Sequence, residues 1–475
     1  MGHMSKSIRP HTVAVIGGGF TGSLFALKIL KARPDWAVLL VEDRKRAGRG
    51  IAYGACEAQH LLNVPVSRME LGLEPGFGAW LRSRRGLLQD ALVESKGRLE
   101  DAFVPRQMFG DYMEQRLSDA LVSTDGWRLR RICGRATRIE EKPRQIVLAD
   151  GSVHPVDAVV LATGNLPSRL PFPVPDSKRI IQNPWARGAL SGIGPDASVL
   201  LAGTGLTMVD TLLSLKSRGH TGPVHAVSRH GFLPKAHRAG GNWPAFLDPS
   251  LSPGEAFQIF RANIRLAEKH GVPWQRVFDA ARPAVASLWH TWTIGQRAQF
   301  MRHLRALWDV HRHRMAERVA TVVDELLWNG KLTVTAGRVL ATDEHKDGIT
   351  AVIRPRGEKA LMVDVDVIVN CTGPATDICR STHPLLADLV HRELVRSDPL
   401  GLGIETQESA AVGTDDLVSD WIFVLGPPTR PAWWEITAVS EITAQVDRLV
   451  NRLSVTDTGI FRSLPAIFLD IGAGI

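Results

Sequence analysis

Two glycine-rich turns, Gly17-Gly18-Gly19-Phe20-Thr21-Gly22 and Gly203-Thr204-Gly205-Leu206-Thr207-Met208, lie 186 positions apart, and each follows a short apolar run. The first run, Val13-Ala14-Val15-Ile16, has the length of a buried strand, and Leu24 to Leu30 after the turn reads as a helix. A glycine turn between a strand and a helix lets a pyrophosphate rest on the helix N-terminus. Glu42 closes the next apolar run, Val38-Leu39-Leu40-Val41, where a ribose-binding carboxylate belongs. The second turn follows Ser198-Val199-Leu200-Leu201-Ala202 and precedes the helical stretch Val209 to Leu215 and the strand-like Val224-His225-Ala226-Val227. One chain is therefore expected to hold two dinucleotides.

At 475 residues the chain is long enough for two or three domains, and 44% hydrophobic with 22% charged residues is ordinary globular composition. Fifty-seven Lys and Arg against 49 Asp and Glu leave a net charge of +8, which suits phosphate-rich cofactors as well as it suits nucleic acid or anionic membrane. No apolar stretch approaches the ~18 residues of a membrane span, so none is expected. The N-terminus lacks the features of a signal peptide, and Met1-Gly2-His3 reads as an expression remnant before Met4. Cys56, Cys133, Cys371 and Cys379 form no Cys-x-x-Cys pair, so neither a disulfide framework nor a redox dithiol is expected, and the expected compartment is cytoplasmic.

The fold class expected is α/β, with two Rossmann-like dinucleotide-binding domains, the first of them discontinuous, and a helical insertion. From Val13 the pattern runs to Ala158-Val159-Val160-Leu161-Ala162-Thr163-Gly164, a strand ending in Thr-Gly. A proline-rich stretch, Leu166 to Pro195, then reads as a linker. Residues 253–329 turn helical, with Trp274, Trp289, Trp292, Trp308 and Trp328 spread along them. Strand-like runs return at Lys331 to Thr335, Thr350 to Ile353 and Val363 to Val369, the last leading to a second Thr-Gly ending at Thr372-Gly373. Trp421 to Gly426 reads as a final strand and Thr437 to Leu453 as a closing helix. The boundaries expected are 8–195 and 365–475 for a first dinucleotide-binding domain and 196–364 for a second.

Two glycine turns, two Thr-Gly strand endings and no redox cysteine pair together resemble the two-dinucleotide-binding flavoproteins, in particular class B and N-hydroxylating amine monooxygenases. More narrowly the chain resembles an FAD-NAD(P)-binding family through Gly50-Ile51-Ala52-Tyr53-Gly54, His60-Leu61-Leu62-Asn63-Val64-Pro65, Val104-Pro105-Arg106, Phe109-Gly110-Asp111-Tyr112, Gly203 to Asp210, and Trp434-Glu435-Ile436-Thr437-Ala438-Val439. The resemblance implies FAD in the first site, with Gly17, Gly19, Phe20, Thr21 and Gly22 at the pyrophosphate and Glu42 on the adenosine ribose. It implies a flavin ring near Asn63 and near Trp434, Glu435, Ile436 and Thr437, with Arg106, Thr163, Gly164 and Gly373 as further cofactor contacts. Gly203 and Gly205 fall to the second dinucleotide.

Two departures stand out. Gly426 is followed by Pro427-Pro428 where many flavoproteins carry Gly-Asp, so backbone amides and the start of the closing helix are expected to substitute. Met208 stands in place of the third glycine of the second turn. The strand beyond that turn ends at Ser228-Arg229-His230 rather than on an acid, and the guanidinium of Arg229 suits the 2′-phosphate of NADPH.

The basic run of Arg302, His303, Arg305, His311, Arg312, His313, Arg314 and Arg318 belongs to no nucleic-acid-binding module, and no nucleic acid partner is expected. His311 and His313 are two residues apart, on different sides of a helix, and no metal site is expected. The insertion reads instead as a lid or substrate pocket, its Arg and His near NADPH phosphates or an acidic substrate. No hydrolase motif is present and no catalytic side chain is assigned, so the hard chemistry falls to the flavin. The activity expected is an NADPH-dependent FAD monooxygenase of a small polar substrate, with molecular oxygen as co-substrate and N-hydroxylation of an amine favoured. The alternatives are a flavin reductase serving a partner or quinone, and a flavin-binding sensor.

Overall fold

The computed structural model describes residues 11–124 and 126–455. Met1-Gly2-His3 and the outer ends of the expected first domain lie outside them. Two seven-stranded sheets and one three-stranded sheet carry the fold. The first sheet runs Thr406–Gln407, Ala410–Val412, Val418–Val424, Ala158–Leu161, Thr12–Ile16, Ala37–Glu42, Leu129–Cys133. From Val418–Val424 to Leu129–Cys133 its neighbours pair in parallel. Parallel strands covered on both faces must be apolar throughout, which is why Thr12–Ile16, Ala37–Glu42 and Ala158–Leu161 are buried at every position.

Helix Phe20–Ala32 follows the first turn, and the closing helix Val439–Val455 packs along it. A small meander, Ala136–Glu141, Arg144–Leu148 and Val153–Pro155, is inserted before the strand that carries Thr163-Gly164.

The second sheet runs Leu361–Val365, Ile349–Pro355, Leu332–Glu344, Val224–Ser228, Val199–Ala202, Val367–Asn370, Ile180–Ile181. Helix Leu206–Ser217 follows the second turn. Sheet membership crosses the expected domain boundaries in two places. Ile180–Ile181, inside the proline-rich stretch read as linker, pairs with Val367–Asn370, and that strand pairs in turn with Val199–Ala202. Both segments had been assigned to the first domain. The single run Val363 to Val369 is two strands, broken at Asp366, whose carboxylate accepts from the backbone N–H of Ser198 (2.7 Å).

Residues 253–328 form five helices, Pro253–Lys269, Gln275–Thr291, Ile294–His303, Arg305–Arg312 and Glu317–Trp328. Two begin with capping boxes, Ser252 with Glu255 and Thr293 with Gln296, which satisfy amides that would otherwise lack partners. No helix among the described residues is long and apolar enough to cross a membrane.

Candidate functional site: two glycine cradles

The two glycine turns have the same construction. Gly17 has φ +104° and Gly203 φ +116°, a region closed to most side chains, and a Cβ on either would stand 2.3 Å from a carbonyl oxygen, that of Ala162 or of Cys371. Each turn is thus pressed against the strand end that carries a Thr-Gly. In the first, a Cβ on Gly22 would meet the carbonyl oxygen of Gly17 at 2.0 Å, so helix Phe20–Ala32 lies hard against the turn. In the second, Met208 occupies this position and is fully buried in the core beneath the sheet. The helix is therefore held by side-chain packing where the first is held by backbone contact.

Neither helix carries an acid in its first turn or a side-chain cap at its start. Their leading amides and dipoles are left for an anion. A Cβ on Gly205, Gly164 or Gly373 would meet nothing within 4 Å, which leaves open space beside both turns. Thr163 adds a buried hydroxyl with no hydrogen-bond partner. Glu42 is 6% exposed, and burial raises its pKa, although the backbone N–H of Arg44 donates to it (3.0 Å). Cradle, orphan hydroxyl and buried carboxylate together fit a dinucleotide.

Gly426 departs from expectation. Its N–H donates to Gln445 Oε1 (2.8 Å), and Gln445 Nε2 donates to Thr429 Oγ1 (2.8 Å), so this amide is tied into the protein rather than free to replace the missing acid.

Between the domains, Arg106 donates to both carboxylate oxygens of Asp210 (2.7 and 3.3 Å) and to the carbonyl of Leu61 (2.9 Å). Its guanidinium joins helix Arg106–Ser123 to helix Leu206–Ser217. His60 Nε2 lies 3.0 Å from the carbonyl of Asp210 and 2.9 Å from Ser214 Oγ, and burial lowers its pKa. His237 Nε2 donates to the carbonyl of Asn63 (2.8 Å), and burial pushes its pKa down to about 4. His60 and Asp210 lie inside the two quoted motifs, yet neither motif discloses that they meet. His237 has no sequence signal.

Trp434 is buried, with its ring 4.8 Å from that of Trp289 and the Arg430 guanidinium 4.1 Å from its centroid. Burial lowers the Arg430 pKa to about 10. Glu435 accepts from Arg312 Nε (2.8 Å) and Trp308 Nε1 (2.8 Å). Ile436 is 1% exposed and Thr437 is exposed.

The basic run is therefore not one face. Arg312 pairs with Glu435, Arg314 with Asp279, and Arg318 with Glu94. Arg302 and Arg305 instead join Arg229, Arg338, Arg354 and Arg356 around a hollow of about 600 Å³. No cluster of three His, Cys, Asp or Glu able to hold a metal occurs among the described residues.

Residues 14–166 match the model of a family described as FAD-NAD(P)-binding. No curated protein matches the chain by sequence. Among solved structures, an ornithine N-hydroxylase of Kutzneria sp. 744 aligns at TM-score 0.61 and 16% identity, over 94% of this chain and 100% of its own. L-lysine 6-monooxygenase from Pseudomonas syringae aligns at 0.63 and 15%, over 94% and 100%. A cadaverine monooxygenase of desferrioxamine biosynthesis from Erwinia amylovora aligns at 0.62 and 12%, over 97% and 99%. The chain has the fold of these amine hydroxylases, and its residues 14–166 are similar to the FAD-NAD(P)-binding family.

Proposed function

We propose that the chain is an NADPH-dependent FAD monooxygenase that N-hydroxylates an amine, with FAD in the Gly17 cradle and NADPH in the Gly203 cradle. The observation that carries this reading is the pair of matching cradles in one chain, joined to a fold likeness to amine hydroxylases over nearly the whole length. We assign Gly17, Gly19, Phe20, Thr21, Gly22, Thr163 and Gly164 to the FAD pyrophosphate region and Glu42 to its ribose. Gly203, Gly205 and Gly373 fall to NADPH. Arg229 and its neighbouring arginines supply the charge that a 2′-phosphate needs. Asn63 and Trp434 to Thr437 border the flavin ring in this reading, while Arg106 positions the domains. The first-domain segments 8–195 and 365–475 exchange Ile180–Ile181 and Val367–Asn370 with the second domain.

A bound flavin would supply the redox step, accepting hydride from NADPH and delivering electrons to oxygen. The chain's part is to orient the nicotinamide across the junction and to keep water out, and the buried Trp434 and Ile436 serve the second task. A thiol-based reductase is the weaker reading, because burial raises the pKa of Cys56 to about 11 and of Cys371 to about 12, and the exposed Cys133 and Cys379 belong to no Cys-x-x-Cys pair.

The test is anaerobic reduction of the flavin-loaded protein by NADPH, then mixing with oxygen while absorbance is recorded. A transient absorbing species before oxidised flavin returns, with hydroxylamine formed when amines are present, is expected. Immediate reoxidation with full peroxide release across an amine panel would overturn oxygenation.

A further inference from the structure

A cavity of about 260 Å³ lies between the helical insertion and Trp434, walled by Trp289, Trp292, Trp308 and Trp434 together with Phe278 and Phe300. We propose that it binds an uncharged aromatic molecule, or the uncharged aromatic part of one, about the size of a fused bicyclic ring. Its assignment as the substrate's binding site rests on the monooxygenase reading, because Trp434 connects the cavity to the segment assigned to the flavin.

Size comes first. A cavity of about 150 Å³ lined by aliphatic and aromatic groups takes benzene, so 260 Å³ has room for a second ring.

Polarity follows from the walls. Three of the four indole N–H groups are engaged elsewhere: Trp289 donates to the carbonyl of Pro431 (2.8 Å), Trp292 to the carbonyl of Leu251 (2.7 Å), and Trp308 to Glu435 (2.8 Å). The walls therefore present mostly carbon, with one guanidinium, that of the exposed Arg261, 5.8 Å from the Phe257 centroid. No carboxylate lines the cavity to hold an ammonium. His311 does line it, but burial lowers its pKa, and its Nδ1 is already 2.8 Å from the carbonyl of Leu307. A cation placed here would lose its hydration with nothing in return, and Arg261 would repel it.

An aromatic cage can also hold a cation against its ring faces. Here guanidiniums already take that role, Arg297 at 5.1 Å from the Trp289 centroid and Arg430 at 4.1 Å from that of Trp434. Two fixed positive charges against the cage repel a third. A neutral ring, stacked or edge-on against the tryptophans, suffers no such penalty.

The experiment is calorimetric titration of the purified flavin-loaded full chain with indole, and separately with tetramethylammonium. It is repeated on two filling variants, Ala256→Phe and Ile264→Trp, whose melting temperatures are recorded alongside. Indole binding in the unsubstituted protein that weakens at least tenfold in a folded filling variant is the expected result. No indole binding at millimolar concentration, or binding unchanged by filling, would overturn the cavity as a ligand site. Tighter binding of tetramethylammonium, lost on filling, would overturn the neutral assignment. NADPH reduction of the flavin is followed in the same unsubstituted sample. Indole binding without that reduction would sink the redox reading alone and leave the ligand site standing.

Discussion

Glu435, assigned with its neighbours to the border of the flavin ring, has its carboxylate held by Arg312, with side chains 8% and 6% exposed. A buried pair contributes little as a pair, but removing one partner strands the other charge. Glu435→Ala is therefore expected to destabilise the protein by about 3 kcal/mol, the low end for such a loss, since Glu441 lies 3.5 Å from Arg312 and compensates in part. The urea midpoint measures it, and a change below about 1 kcal/mol would contradict the buried-pair account. His237 makes a pH prediction. Its folded pKa of about 4 lies below the ordinary histidine value of 6.5, so between these values the unfolded chain binds more protons and stability falls as pH falls. Full above pH 6.5, this contribution of up to about 3 kcal/mol is lost by pH 4. His237→Gln should flatten that slope in urea titrations at pH 7 and 4.5. None of these pairings was legible in the sequence, because partners 123 and 174 positions apart leave no local pattern.

Among the elements, the two cradle helices were readable because strand, glycine turn and helix are contiguous and each has its own period. Both extend beyond the stretches read, since helix starts sit on the glycines themselves, where composition resembles a turn. What joins them was hidden. Helix Arg106–Ser123 and helix Leu206–Ser217 are clamped by the Arg106–Asp210 pair, with Asp210 5% exposed. Asp210→Ala is expected to cost about 3 kcal/mol and to raise amide hydrogen exchange in residues 60–65 and 206–217 together. Exchange confined to one of these segments would show that the pair does not couple the domains. Short strands were the hardest to read. Ile180–Ile181 has two residues and proline neighbours, and only its pairing with Val367–Asn370 makes it a strand.

For the whole molecule, the basic hollow is assembled from three distant segments: the strand end at Arg229, the insertion at Arg302 and Arg305, and the hairpin at Arg338, Arg354 and Arg356. If it receives the 2′-phosphate, Arg229→Ala and Arg305→Ala should each raise KM for NADPH roughly tenfold, the worth of one ion pair of about 1.4 kcal/mol, and leave KM for NADH nearly unchanged. Equal effects on both cofactors in steady-state kinetics would remove the hollow from phosphate recognition. The sequence by itself determined the two cradles, the glycine positions within them, the α/β class and the helical character of the insertion, because each depends on neighbours within one strand–turn–helix unit. Only the tertiary structure decided where the arginines of the basic run go, which strands complete each sheet, and that four tryptophans enclose one apolar cavity. Charge pairing, strand pairing and enclosure are contacts between segments far apart in the chain, and burial selects among the many partners that composition alone allows.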